Sequence, residues 1–437
     1  MAADRWEAYL DSLEALGWRF GLERMQRLTS LLGLPQNRFG SIHVVGTNGK
    51  SSVTQMIAAL LEAHGTSTGA CISPHFVRWA ERVQIGGAEI APQEFAAAME
   101  RVAQAAEVAN RSLEEGDAIT QFEAATAGAF VAMAAAQVQA GVVEAGLGGR
   151  LDATNVIQSK VTVLTSVGLD HTEWLGDTLT EIAAEKLAVL RDGTTLVLGT
   201  VPEEVAALAR ETADQRGARL LPAPADPGDD ISLRAAGSFQ RHNFALAMAA
   251  TETFLGRIDR EACRDVAARL LIPGRLELLE GDPPVILDAA HNPDGAAALA
   301  ESLPAVSGGR QPVCCLAVLA DKDAAAMVAA LAGAVERAIC TEVPADALAH
   351  GGRPGARSLP AAELGGLCER AGIPAEAEPE LDAALGRAGE LARAEGRALL
   401  VAGSHYALGT ARALLDATTH PRPPGVGAPG PDSPPAV

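Results

Sequence analysis

Apolar positions follow two rhythms along the chain. Short runs at Ile42-His43-Val44-Val45, Val142-Val143, Val161 to Val167 and Thr195 to Leu198 read as strands. Stretches of helical period lie between them. In the clearest, Val53, Met56, Ile57, Leu60 and Leu61 share one face, and Gly65 stands where a helix C-cap belongs. Thr178 and Glu181 form a capping box that predicts a helix reaching about Arg191. Strands alternating with helices predict a parallel, doubly wound α/β sheet. Composition shifts at Pro222 to Asp230, helical pattern resumes near Gln240, and Ile272-Pro273-Gly274-Arg275 is the best joint between domains. A second α/β series follows, with strands expected at Val285 to Leu287, Val313 to Leu319, Ala338 to Thr341 and Ala398 to Ala402. Residues 421–437 hold many Pro and Gly with no apolar period, which predicts a disordered tail.

Composition narrows the function. Hydrophobic residues make up 48% of the 437, but aromatics only 3%, so Ala, Leu and Val must do most of the packing. The net charge of -20 argues against a nucleic-acid surface, and any site for an anionic substrate must supply its own cations. The six cysteines form no CxxC pair and read as buried small hydrophobes in a reducing cytosol. The opening MAADRWEAYL is amphipathic and acidic, unlike a signal peptide, and no run of about 18 apolar residues exists to span a membrane. A cytoplasmic monomer acting on small molecules is expected.

Candidate chemistry sits where strands end. Gly46-Thr47-Asn48-Gly49-Lys50-Ser51-Ser52 follows the first strand and opens the first strongly periodic helix, the setting of a phosphate cradle. There, backbone N–H groups and the Lys50 charge would hold phosphates, although Val44 stands where the general pattern has its first Gly. Glu144, before Ala145-Gly146-Leu147-Gly148-Gly149, closes another strand, and Asp170 and His171 follow a third. Parallel sheets bind ligands at these ends. A carboxylate, an imidazole and hydroxyls beside phosphates suit Mg²⁺ or Mn²⁺. Taken singly, Glu144 and His171 are as readily a loop cap and a surface histidine. Lys186 reads as mid-helix among apolar neighbours, where a lysine is ordinarily a snorkelling stem. In the second series, Asp288, His291 and Asn292, Asp321 to Asp323, and Gly403 to His405 again follow strands.

These motifs, taken in order, resemble the folylpolyglutamate synthase/dihydrofolate synthase family of the Mur ligase superfamily. The matching stretches are VVGTNGKSS at 44–52, SPHFVRWAERVQI at 73–85, TQFE at 120–123 and EAGLGGRLDATNV at 144–156. LDHTEWLG at 169–176, EKLAVL at 185–190, PGRLE at 273–277, LDAAHNPDGA at 287–296 and LADKD at 319–323 complete them. The resemblance implies a parallel-sheet P-loop ATPase domain of Mur ligase type over residues 1–272. A smaller Rossmann-like, glutamate-binding domain would follow over 273–420. It implies ATP-dependent joining of L-glutamate to folates, and also to dihydropteroate, through an acyl-phosphate. By the same resemblance, Thr47 to Ser52, Asn243, Arg275 and Asp288 bind ATP. Ser73, Glu144, His171 and Lys186 hold metal at two sites, with Lys186 carrying a carbamate. Lys50, His171 and Lys186 would be catalytic. Phe20, Gly21, Thr120, Gln121, Phe122, Glu123, Leu151, Asp152 and Ala153 would line the pterin site, with His291 and Ser404 near the incoming glutamate.

Some residues depart from the family pattern. Ala145 replaces the usual Val, Leu187-Ala188 the usual Ala-Gly, and His405 the usual Leu before Tyr406; the segment from Leu221 to Gly237 is short. Two alternatives stand beside this reading. A cell-wall Mur ligase usually carries an extra N-terminal nucleotide-sugar domain, and with only about 45 residues before the phosphate loop that reading is disfavoured. A non-catalytic nucleotide-binding module would not need Lys50, Glu144, His171 and Lys186 together.

Overall fold

The computed structural model describes residues 2–13, 17, 19–350 and 355–419; the expected tail at 421–437 lies outside them. Two sheets organise the chain. The first joins β1 (Gly40–Val45), β2 (Thr68–Cys71), β3 (Val83–Ile85), β4 (Ala88–Glu89), β5 (Ala140–Glu144), β6 (Ser159–Leu164), β7 (Thr195–Leu198) and β8 (Arg219–Pro222) in the order β4-β3-β2-β5-β1-β6-β7-β8. The pairs from β2 to β8 are parallel, whereas β3 and β4 add antiparallel at one edge. The second joins β9 (Glu277–Leu279), β10 (Val285–Leu287), β11 (Val313–Leu316), β12 (Arg337–Cys340), β13 (Ala375–Ala377) and β14 (Leu399–Ala402) as β13-β12-β11-β14-β10-β9. It is parallel apart from β9.

The period of two in each strand explains why both faces of the first sheet are covered. Ile42, Val44, Val142, Val161, Val163 and Val197 point to one face and pack with the Lys50–Ala63, Ser238–Leu255 and Arg260–Arg269 helices. Their alternates divide the other face. Val143 joins the core beneath the Pro92–Asn110 and Gln121–Ala135 helices, and Val45, Leu164, Leu196 and Leu198 join that of the Leu179–Leu187 and Glu203–Gln215 helices. Each fully buried Val, Leu or Ile contributes roughly 1.5–3 kcal/mol. Alanines such as Ala124, Ala127 and Ala129 fill what large aromatics fill elsewhere, which lets helices lie close. All six cysteines are buried and free. Among the described residues no helix is long and apolar enough to cross a membrane.

Three expectations are corrected in detail. The third strand stops at Leu164, not Val167, because the Thr165 and Ser166 hydroxyls bond the Asn48 carbonyl oxygen and take this stretch into a loop. The sixth expected apolar run, Val313 to Leu319, likewise stops at Leu316. The helix capped by Thr178 ends at Leu187, so Lys186 stands in its last turn rather than mid-helix, and it is buried.

Candidate active site

The phosphate-type loop is fixed by two glycines. Gly46 has φ +154°, and a Cβ there would meet Thr165 Oγ1 at 1.9 Å; Gly49 has φ +83° and would meet Asn243 Oδ1 at 2.7 Å. Gly49 is the N-cap of the Lys50–Ala63 helix, so free N–H groups of the first turn face the loop. The 165–168 loop grips this turn. Thr165 Oγ1 donates to Asn48 O at 2.6 Å, and Gly168 N donates to Thr47 Oγ1 at 3.0 Å. Lys50 Nζ donates to the Gly46 and Thr47 carbonyl oxygens, each at 3.1 Å.

Glu144, at the end of β5, is buried and accepts from Ser51 Oγ at 2.9 Å and from Ser73 N at 3.0 Å. Burial raises its carboxyl above the usual range, and the Lys50 charge opposes this. Lys186 is buried too, and its Nζ donates to Gly46 O at 3.0 Å. Burial, helped by the Lys50 charge, brings its ammonium down to about 7. Residues Ser51, Ser73, Glu144 and Lys186 thus gather around one loop. His171 follows β6 with φ +53°, an unusual backbone for a residue with a Cβ, and lies 3.8 Å from Asp170 Oδ1. Among the described residues no three His, Cys, Asp or Glu side chains converge as a metal cluster. A cation site here would draw on side-chain hydroxyls as well as a carboxylate. The buried Glu144 carboxylate between two serines is an oxygen-donor setting that fits such a hard cation.

The second sheet brings its own strand ends to the same place. Asp170 is the meeting point: Lys322 Nζ donates to its Oδ1, Asn292 Nδ2 to its Oδ2 at 3.2 Å, and His291 Nε2 lies 3.5 Å from Oδ2. Burial would raise the Asp170 carboxyl, but His291, His171 and Lys322 pull it far below the usual range. Asn48 and Asn292 exchange amide hydrogen bonds at 3.2 and 3.0 Å across the same gap. Asn292 also caps the Pro293–Val306 helix through Gly295 N. Asp288 accepts from Leu276 N and Ala290 N, which ties the 273–276 joint to the end of β10 beside Arg275.

Together these walls enclose a cleft with a cavity of about 520 Å³. Every residue that the resemblance assigns to the site lines it: Phe20, Gly21, Thr47 to Ser52, Ser73, Thr120 to Glu123, Glu144, Leu151 to Ala153, His171, Lys186, Asn243, Arg275, Asp288, His291 and Ser404; Asn292, Asp321 and Asp323, also named from their place after strands, do not. Two of them work within the wall. Glu123 closes a capping box with Thr120 and pairs with Arg24 Nε at 3.1 Å, and Asp152 accepts from Leu147 N and Thr154 N. Phe20 and Trp174 meet at the mouth, ring centroids 5.1 Å apart and both exposed. The central role of Asp170, the approach of Lys322, the buried Arg82 and the half-buried His405 went unassigned from sequence. Their only signal is position after a strand or inside a matched motif.

Comparison with known proteins follows the same outline. Residues 44–199 match the domain family described as Mur ligase middle domain, and residues 274–405 the one described as Mur ligase, glutamate ligase domain. A Mycobacterium tuberculosis dihydrofolate synthase/folylpolyglutamate synthase is 36% identical over 381 residues, covering 78% of this chain and 77% of that protein. The Escherichia coli protein of the same description is 32% identical over 349 residues, covering 77% and 80%. Among solved structures, Mycobacterium tuberculosis folylpolyglutamate synthase complexed with ADP superposes with TM-score 0.85 at 32% identity, covering 94% of this chain and 98% of that one. E. coli FolC in complex with DHPP and ADP gives 0.82 at 27%, covering 96% and 98%.

Proposed function

The chain belongs to the folylpolyglutamate synthase/dihydrofolate synthase family of Mur ligases, and from that premise we propose how its cleft works. The protein is an ATP-dependent ligase that joins L-glutamate to a folate-type acid. We infer that it accepts dihydropteroate as well as folates, and that it acts as a cytoplasmic monomer.

The observation that carries this reading is the convergence of both sheets' strand ends on one cleft. In the proposed sequence the substrate carboxylate attacks the γ-phosphorus of ATP. A C–O–P linkage forms and ADP leaves. The glutamate amine then attacks the acyl carbon, loses a proton, and expels inorganic phosphate. Lys50 and the N–H groups after Gly49 neutralise the phosphates. Asn243, Arg275 and Asp288 hold the nucleotide between the domains. His291 and Ser404 present the amino acid. Bound Mg²⁺ or Mn²⁺ would screen the phosphoryl charge during transfer, with Ser73, Glu144, His171 and a carbamate on Lys186 as its holders. Phe20, Gly21, Thr120 to Phe122 and Leu151 to Ala153 form the wall for the pterin, which Glu123 and Asp152 keep in shape.

The net charge of -20 makes the local balance informative. Lys50, Arg82 and Arg275 face a cleft shared with ATP and acids, so the cations are supplied where they are needed. We propose that residues 1–272 hold ATP and folate, and that 273–420 bring glutamate by closing about Pro273-Gly274. Release of ADP by purified protein should require both glutamate and either dihydropteroate or a tetrahydrofolate. ADP release that ignores glutamate would exclude the ligase; turnover with a tetrahydrofolate but not dihydropteroate would remove only the second activity.

A further inference from the structure

Arg82, at the end of the Trp79–Arg82 turn, is 7% exposed and lines the cleft near Ser73, Glu144 and Tyr406. It forms no ion pair among the described residues. The chain treats its other buried guanidinium differently, since Arg24 pairs with both Glu123 and Asp117. Two neutral groups hold Arg82 instead. Its Nε donates to His75 Nδ1 at 2.8 Å, which fixes that nitrogen as the unprotonated one. Its guanidinium carbon lies 4.0 Å from the Trp79 ring centroid. Trp79 is pinned in turn, with Nε1 donating to Asp11 and the backbone N to Glu7 on the Ala2–Ser12 helix. Burial pulls the guanidinium down to about 10, with Tyr406, Cys71, Glu144 and Glu81 opposing, so it stays charged at neutral pH.

A buried cation without a carboxylate is costly to fold. One held rigid by stacking, with its remaining N–H groups toward a cleft, is prepared for a planar anion. We propose that Arg82 anchors a substrate carboxylate in this cleft. The inference rests on the ligase reading above and adds a residue to it. Tyr406 beside Arg82 belongs to the second domain, to which the reading above assigns the incoming glutamate, so a carboxylic substrate is the expected partner and ATP is an outcome of the test. The carboxylate comes either from the incoming glutamate or from the acid that becomes acylated.

The test is a set of separate KM values for glutamate, the folate-type acid and ATP, in full-length Arg82→Gln and Arg82→Lys proteins. A charged hydrogen-bond pair predicts that the KM of one carboxylic substrate rises roughly 10- to 100-fold in Arg82→Gln, less in Arg82→Lys, with the ATP KM unchanged. Which KM moves identifies the source. If neither carboxylic KM moves, or if only that of ATP does, the proposal is overturned. Should the variants melt below wild type, phenylglyoxal labelling of the wild type decides. Arg82 should be labelled in the free protein and protected by glutamate or by the acid, and protection by neither overturns the proposal. Failure of the ligase reading would look different, as wild-type protein releasing no ADP in response to glutamate.

Discussion

Lys50 and Lys186 donate to the same atom: the Gly46 carbonyl oxygen accepts from both Nζ groups, at 3.1 and 3.0 Å. Two ammonium groups on one buried acceptor repel, and the Lys50 charge adds to burial in bringing Lys186 down to about 7. A lysine that deprotonates near neutrality is the kind that reacts with CO₂. The reaction joins the neutral amine to CO₂ with loss of one proton, turning a repelled cation into an anion with two ligand oxygens.

Carbamate on Lys186 should therefore follow pH. Above about 7 the amine is neutral and reactive; below it the ammonium cannot add CO₂. Trapping of ¹³C-bicarbonate by alkylation should label Lys186 increasingly from pH 6 to 8, and Lys186→Ala should lose ligase activity, partly restored by acetate. Equal labelling across that range would count against a neutral-amine route.

Lys50→Ala should abolish ligation and leave the melting temperature close to wild type. Lys50 Nζ bonds only carbonyl oxygens of its own loop, so little of the fold depends on it. Thermal melts beside ADP release check both halves, and wild-type turnover by the variant would remove the loop from phosphate binding.

Much of this arrangement was legible because parallel strands buried on both faces are written as unbroken apolar runs. β1, β7 and β10 stand where such runs stand. β2, with sequence TGAC, and the edge strands β3, β4 and β9 carry no such run; they are held by neighbours, not by their own pattern. Lys186 misled for a related reason. An apolar setting cannot say whether a lysine snorkels outward or turns inward, and only the Gly46 carbonyl opposite decides it. Asp170 was visible only as a residue beside His171, because its partners come from a different sheet 122 and 152 positions later.

His43 gives a pH-dependence away from the chemistry. It is fully buried in β1, with Nε2 2.9 Å from Thr154 Oγ1, and burial with the Arg191 charge lowers it from 6.5 to about 3. Between those values the unfolded chain binds a proton that the folded chain does not. Stability should therefore rise with pH across that window and fall as pH drops, by about 1.4 kcal/mol per unit at most. Urea midpoints at pH 5 and 7.5 should differ less in His43→Gln than in wild type, after allowing for that variant's own packing loss. An unchanged difference would assign the acid sensitivity to other groups.

Gly49→Ala tests the backbone of the phosphate loop. The residue sits at φ +83°, where a Cβ costs about 1–2 kcal/mol, and that Cβ would lie 2.7 Å from Asn243 Oδ1. Asn243 can swing away, but its amide is bonded to Gln240 Oε1 at 3.0 Å. The ATP KM should rise about tenfold or more while the folate KM stays put. An ATP KM unchanged from wild type would mean that neither the left-handed turn at Gly49 nor the room beside Asn243 is needed to hold the phosphates.

The last prediction concerns closure. Asp170 belongs to the first sheet's loop, and Lys322, His291 and Asn292 to the second domain, so their cluster exists only when the two are together. The pair Asp170–Lys322 is buried, with side chains 8% and 5% exposed, so removing one partner leaves the other charge stranded. Such half-pairs typically cost about 3–5 kcal/mol, here charged against the closed arrangement rather than against either domain's fold. Lys322→Met should therefore lower kcat/KM for glutamate by roughly 100-fold or more, with each domain's secondary structure intact. Asp170→Asn combined with Lys322→Met should do less harm to closure than the two losses added, because no stranded charge remains. Small-angle scattering with nucleotide bound, set beside kinetics of the two single variants and the double, would settle it: strict additivity, or an unchanged Lys322→Met enzyme, means that the ion pair does not hold the domains together.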